Sequence, residues 1–183
     1  MRRRGALIGA ILGGLLAATG AAAGTREPNA FELAYTAMAL DFGAHDLCGR
    51  ISPGAESRYL FNSPGTQIYR ERSRCFLYVA VNTLNPHLCR SVTEASAWFH
   101  DGSYFSRKNC EALVAAGNPF NFSLYFDRRL VLSEMGYTEA EATEAAPGEP
   151  ADAAWNRFYL NAIGRDGEFQ QRLQRLPDFS GAN

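Results

Sequence analysis

CFLYVAVNTLNPHLC, residues 75–89, carries a cysteine at each end of a long apolar run, and its reading decides the fold. The run is β-branched and aromatic enough for a buried strand. No partner strand stands out elsewhere, and QIYRERSR (67–74) reads as a helical lead-in. We therefore expect a buried helix across residues 66–84. The two thiols have three possible uses: a metal, a reaction or a staple. Zinc sites favour close pairs such as C-x-x-C. Here Cys48, Cys75, Cys89 and Cys110 are separated by 27, 14 and 21 residues, although His45 and His87 lie near two of them. A catalytic thiol needs a free cysteine with a base beside it. His100 is available, but nothing in the spacing singles it out.

The compartment favours the staple. MRRRGALIGAILGGLLAATGAAAG opens the chain with three arginines, an uncharged stretch from Gly5 to Gly24 and a small-residue site at Ala21-Ala22-Ala23. That is the pattern of a secretory signal peptide, residues 1–23, cut after Ala23. The run is just long enough to span a bilayer. It is nevertheless rich in Gly and Ala, and only Arg26 follows it as a stop, so cleavage fits better than an anchor. The mature part, 24–183, then holds fifteen basic and nineteen acidic residues, a net charge of about −4. A mildly acidic exported protein points away from nucleic acid and anionic membranes. No second apolar stretch approaches spanning length, and 160 residues suffice for one domain with a core. The expected location is periplasmic or secreted, where an even cysteine count implies disulfides.

An internal similarity suggests the pairing. AMALDFGAHDLCGRISP and LYVAVNTLNPHLCRSV align on Leu47-Cys48 and Leu88-Cys89. Each has a helix-length hydrophobic run, a polar break, Leu-Cys, and an aliphatic residue three beyond, Ile51 or Val92. Each is followed by a basic run ending in cysteine: YRERSRC at Cys75 and FSRKNC at Cys110. One rule for both copies gives Cys48–Cys75 and Cys89–Cys110. In the chain-entropy picture each loop closure contributes about 3–4 kcal/mol. A nested pairing, Cys75–Cys89 with Cys48–Cys110, is the alternative.

This repetition, L-C followed by C-(Phe/Tyr) as at Cys75-Phe76, resembles uncharacterised exported prokaryotic proteins built from short cysteine-bearing helical units. The resemblance covers residues 35–115 and implies a stapled helical fold. It implies no activity.

The remaining segments read as helices, so the expected class is all-α: a single domain of short antiparallel helix pairs stapled by two disulfides. Phe31, Tyr35, Met38 and Phe42 share one face, with Asn29 and Glu32 as a capping box and Gly43 as a stop. Ser106 starts a helix that Gly117 ends, and Ser123 starts one that Gly136 ends. Thr138 and Glu141 make a second capping box. AAPGEPA, 145–151, is linker-like. Asp152 is placed as the cap of a helix with Trp155, Phe158, Tyr159, Ala162 and Ile163 on one stripe, ended by Gly164. Phe169, Leu173 and Leu176 form another stripe, packing on the same domain, and the tail of 177–183 should fray.

No phosphate loop, nucleophile elbow or H-E-x-x-H motif is present, and no cofactor or metal is implied. AWFHDGSYFSRK, 97–108, is the richest loop: Trp98, Phe99, Tyr104 and Phe105 stand beside His100, Asp101, Arg107 and Lys108. Aromatics with arginine anchor protein interfaces, which nominates Trp98, His100, Tyr104 and Arg107 for binding. The alternative reading makes the same rings core, since a small stapled domain uses every large apolar side chain. NPFNFSLYFDRR, 118–129, is a second such stretch, with Phe120, Phe122, Tyr125 and Phe126 before Asp127, Arg128 and Arg129. Two functions follow. One is a small helical binding protein of the envelope or medium, an inhibitor, immunity-type partner or accessory subunit, with another protein as its partner. The alternative is a small exported hydrolase using His100 and Asp101 with Glu94 or Glu111, or with Ser103 or Ser106.

Overall fold

A computed structural model describes residues 24–60, 66–95, 104–119, 124–143, 150–162 and 167–182. The signal segment, most of the linker-like stretch and Gly164 lie outside these residues. Within them the chain is mostly helical, with one two-stranded sheet, and is stapled by Cys48–Cys75 and Cys89–Cys110. The Cα separations are 5.5 and 5.6 Å. All four cysteines are sealed in the core at 0% exposure.

Helix α1, Ala30–Phe42, begins at the expected box: the Asn29 side chain accepts from the Glu32 amide and the Glu32 carboxylate accepts from the Asn29 amide, both at 3.0 Å. It stops at Gly43, whose φ of +64° suits a residue without a Cβ. Tyr35 and Met38 are fully buried, with Phe31 and Phe42 packed at the margin of the core. Helix α2, Asp46–Gly49, carries the first Leu-Cys.

The next segment departs from the all-helical reading. β1, Glu56–Leu60, pairs antiparallel with β2, Thr66–Arg70, so that Glu56 faces Arg70 and Leu60 faces Thr66. Gln67–Arg70 is strand, not helical lead-in. Arg70 keeps an extended backbone, and the Glu71 amide donates to the Ala55 carbonyl at 2.9 Å, so the helix cannot start earlier. The partner strand ESRYL escaped notice because it is short and largely polar.

Helix α3, Glu71–Asn82, is the buried helix expected: every residue from Ser73 to Val81 is buried. A helix enclosed on all sides sits centrally. The Thr36 hydroxyl of α1 meets Glu71 at its start, and Gly43 lies beside Thr83 at its end. The α1–α3 pair therefore runs in one direction, where short antiparallel pairs were expected. The return path that two parallel elements need is made by α2 and residues 50–55, since the β-hairpin leaves and re-enters beside Glu71.

A 3₁₀ turn, Pro86–Ser91, presents the second Leu-Cys, and α4, Arg107–Ala116, starts at Ser106 and ends at Gly117 as expected. Helix α5, Arg128–Glu134, begins five residues later than expected. Asp127, rather than Ser123, caps it by accepting from the Leu130 amide at 3.1 Å. In front of α6, Glu139–Thr143, Thr138 and Glu141 form their box. Helix α7, Ala151–Ala162, starts from the Pro150 carbonyl, which accepts from Ala153 and Ala154, so Asp152 lies inside the first turn and is not the cap. Helix α8, Gly167–Leu173, follows.

Trp155, Tyr159, Phe169, Leu173 and Leu176 are buried, and Phe42 meets both Tyr159 and Phe169 at 5.8 and 5.7 Å between ring centroids. One buried cluster thus runs from Ala34 to Leu176. Residues 177–182, expected to fray, lie docked on the domain in the structure. The Pro177 carbonyl accepts from the Tyr35 hydroxyl at 2.5 Å, the Phe179 amide donates to Arg50 at 2.8 Å, and the Ala182 carbonyl accepts from Ser52 at 2.6 Å. These long-range bonds satisfy backbone groups that a free tail would leave to water.

Candidate functional site

The cysteines are accounted for first. All four are paired, so none is a nucleophile or a metal ligand. Among the described residues no group of three metal-type ligands converges. His45 is exposed beside Asp46 at 3.3 Å, and His87 is also exposed.

The 97–108 loop divides. Trp98, Phe99, His100 and Asp101 lie outside the described residues, as does Ser103. Phe105 is core: its ring lies 4.7 Å from Tyr69 and 5.9 Å from Tyr78. Tyr104 stands edge-on to it at the surface, 40% exposed. Arg107 is exposed and pairs with Glu111 at 2.8 Å along one helix turn. Ser106 is buried and engaged as a helix cap. Two residues nominated for hydrolysis, Glu111 and Ser106, thus already have structural partners.

Two carboxylates are completely buried: Glu32, which the sequence marks only as part of a helix cap, and Glu71, which it does not mark at all. Arg26 grips Glu32 with two bonds of 2.6 and 2.8 Å, and the Asn29 and Ser52 amides add two more. Burial pushes the Glu32 pKa up, but these donors together outweigh it and hold the carboxyl below its ordinary range. Glu71 accepts from Thr36 at 2.6 Å and from Arg74 at 2.6 and 3.0 Å. There burial wins over the donors and the pKa is raised. Arg74 lies over the rings of Tyr69 and Tyr78, at 5.4 and 5.9 Å. Both carboxylates join segments distant in sequence, and this is an architectural use.

The more open chemistry lies where α5 meets α7. A shallow cleft is lined by Tyr125, Asp127, Arg128, Arg129, Trp155 and Asn156. Tyr125 is 92% exposed, while its neighbour Phe126 is buried against Tyr159 at 5.3 Å. The chain turns from surface to core between these two residues, just before Asp127 caps α5. The Arg128 guanidinium lies over Phe126 at 4.7 Å and Tyr159 at 5.1 Å, and its Nη1 donates to Asn156 Oδ1 at 3.1 Å. Its Nε and the Trp155 Nε1 are buried without a hydrogen-bond partner among the described residues. Behind them the Tyr159 hydroxyl donates to Asp41 at 2.9 Å. Burial raises the Asp41 pKa, with Tyr159 and Arg128 opposing it. Arg129 is exposed and, among the described residues, its ion-pair partner is Glu139 at 3.9 Å.

Sequence reading found this stretch as an aromatic–arginine segment, with Phe120 and Phe122 outside the described residues. It did not bring Trp155 and Asn156 to it, because that meeting depends on how α7 packs. Set against protein-family models, curated proteins and solved structures, the chain matches none.

Proposed function

We propose that the chain is a small exported binding protein, periplasmic or secreted, whose partner is another protein. The observation that carries this reading is Tyr125, a large aromatic left 92% exposed at a cleft that Arg128 and Arg129, three and four residues on, also line. Tyrosine and arginine are the side chains that interfaces use as anchors. The rest supports it: two buried disulfides suit an oxidising compartment, and no described helix is long and apolar enough to cross a membrane. The sequence signals of export and the paired L-C…C units, taken as a helical repeat, point the same way. Trp98, His100, Tyr104 and Arg107 form a proposed secondary contact on the 97–108 loop.

The test is capture by the tagged, exported protein from the secreted and envelope fractions of the producing cell. A specific protein should be retained by the wild type and lost with Tyr125→Ala, while the melting temperature stays within a degree or two. Equal retention by wild type and variant, or no retained protein in either, overturns the reading.

A further inference from the structure

Granting that reading, we propose that the α5–α7 cleft takes an acidic, aromatic-bearing segment of the partner, with a ring against Tyr125 and a carboxylate between Arg128 and Arg129. The cations of the cleft are lightly engaged. Among the described residues Arg128 donates a single hydrogen bond, to the neutral Asn156, with the Asp41 charge acting on it without a direct bond, and the one ion pair of Arg129 is to the exposed Glu139 at 3.9 Å. An ion pair so long and so exposed holds its partners weakly. The carboxylates nearby are committed elsewhere: Asp127 caps α5 and Asp41 accepts from Tyr159. Two arginines with spare N–H donors therefore line a cleft whose described acidic neighbours, Asp127 and Asp41, are engaged. Guanidinium pairs with carboxylate through parallel N–H···O bonds, which favours that anion over a neutral amide of the same shape.

The second half of the segment follows from the rings. Arg128 is already held flat over Phe126 and Tyr159, so its plane is fixed before a ligand arrives and little side-chain freedom is left to lose. Tyr125 extends the same aromatic surface outward, where a partner ring can meet it edge-on or offset. Carboxylate and ring should therefore lie on neighbouring or next-neighbouring residues of the partner.

The experiment uses fluorescein-labelled peptides of equal length containing Glu-Gly-Phe, Gln-Gly-Phe or Glu-Gly-Ala, titrated with the intact, disulfide-bonded protein and read by anisotropy. The Glu-Gly-Phe peptide should bind at least about tenfold more tightly than either of the others. That preference should weaken with added salt. Arg129→Ala should abolish the Glu-over-Gln preference, Tyr125→Ala should abolish the Phe-over-Ala preference, and Arg90→Ala, exposed on the 3₁₀ turn, should change neither. Equal binding of Glu and Gln peptides, or no binding of Glu-Gly-Phe at millimolar protein, overturns the proposal. Capture of a partner protein that depends on Tyr125 but not on Arg129 would leave the binding reading standing and remove this one.

Discussion

Leu84 is the one non-glycine among the described residues with a positive φ, +52°. It sits where a glycine would ordinarily end α3: the Asn85 amide reaches back to the Ala80 carbonyl at 2.8 Å, the closure of a left-handed helix cap. Its side chain is 52% exposed, so it recovers little by burial. A β-carbon in this conformation costs on the order of 1–2 kcal/mol. Leu84→Gly should therefore stabilise the protein by about 1 kcal/mol net of the freedom glycine adds to the unfolded chain, read by urea or thermal unfolding. A destabilised variant would show that the exposed leucine is packing on something. Tyr125 makes the same point about residues from another direction. It was visible in the sequence as one of four aromatics, but neighbours as alike as Tyr125 and Phe126 end in opposite environments, and no local pattern separates them.

Among the elements, α1 and α3 show what local chemistry reveals and what it withholds. The capping box at Asn29 and Glu32, the Ser106 cap and the glycine stops at 43, 117 and 136 were readable because each is settled within four residues. The hairpin was not, since β1 and β2 gain their identity from pairing with each other and from the hydrogen bond that fixes Glu71. The role of Glu32 was half readable. Its cap was evident, but its bonds to Arg26 and to Ser52, twenty residues away, were not. Those bonds have a pH signature. Because the folded pKa of Glu32 lies below its ordinary value of 4.5, its contribution is fully present above that pH. It is lost as the pH falls through the lower folded value. Melting temperature followed from pH 6 to pH 3 should drop below about pH 4.5 in the wild type. Glu32→Gln should start lower and flatten that drop. An unchanged slope would mean that other carboxylates carry the acid sensitivity.

For the whole molecule, the tail is as informative as the disulfides. The pairing Cys48–Cys75 and Cys89–Cys110 was legible because two copies of one pattern obeyed one rule. The docking of residues 177–182 onto Arg50 and Ser52 was not, since a lone Phe179 between a proline and small residues carries no sign of where it will lie. Phe179 rests beside Tyr35, with ring centroids 6.4 Å apart, and the surrounding hydrogen bonds tie the last residues to the first helix. Ending the chain at Leu176 should cost about 2–3 kcal/mol, by loss of these bonds and of the Phe179 contact, measured as a lower denaturation midpoint with an unchanged disulfide pattern. No change would make the tail an ornament.

The sealed sulfurs have a consequence for time rather than for strength. Thiol exchange requires an attacking thiolate to reach a disulfide sulfur. With every cysteine at 0% exposure, no reagent reaches one while the protein is closed. Reduction then proceeds only through momentary openings of the interior, and at high reductant its rate becomes that of the opening itself. The two staples double as a clock, ticking each time the native state lets go.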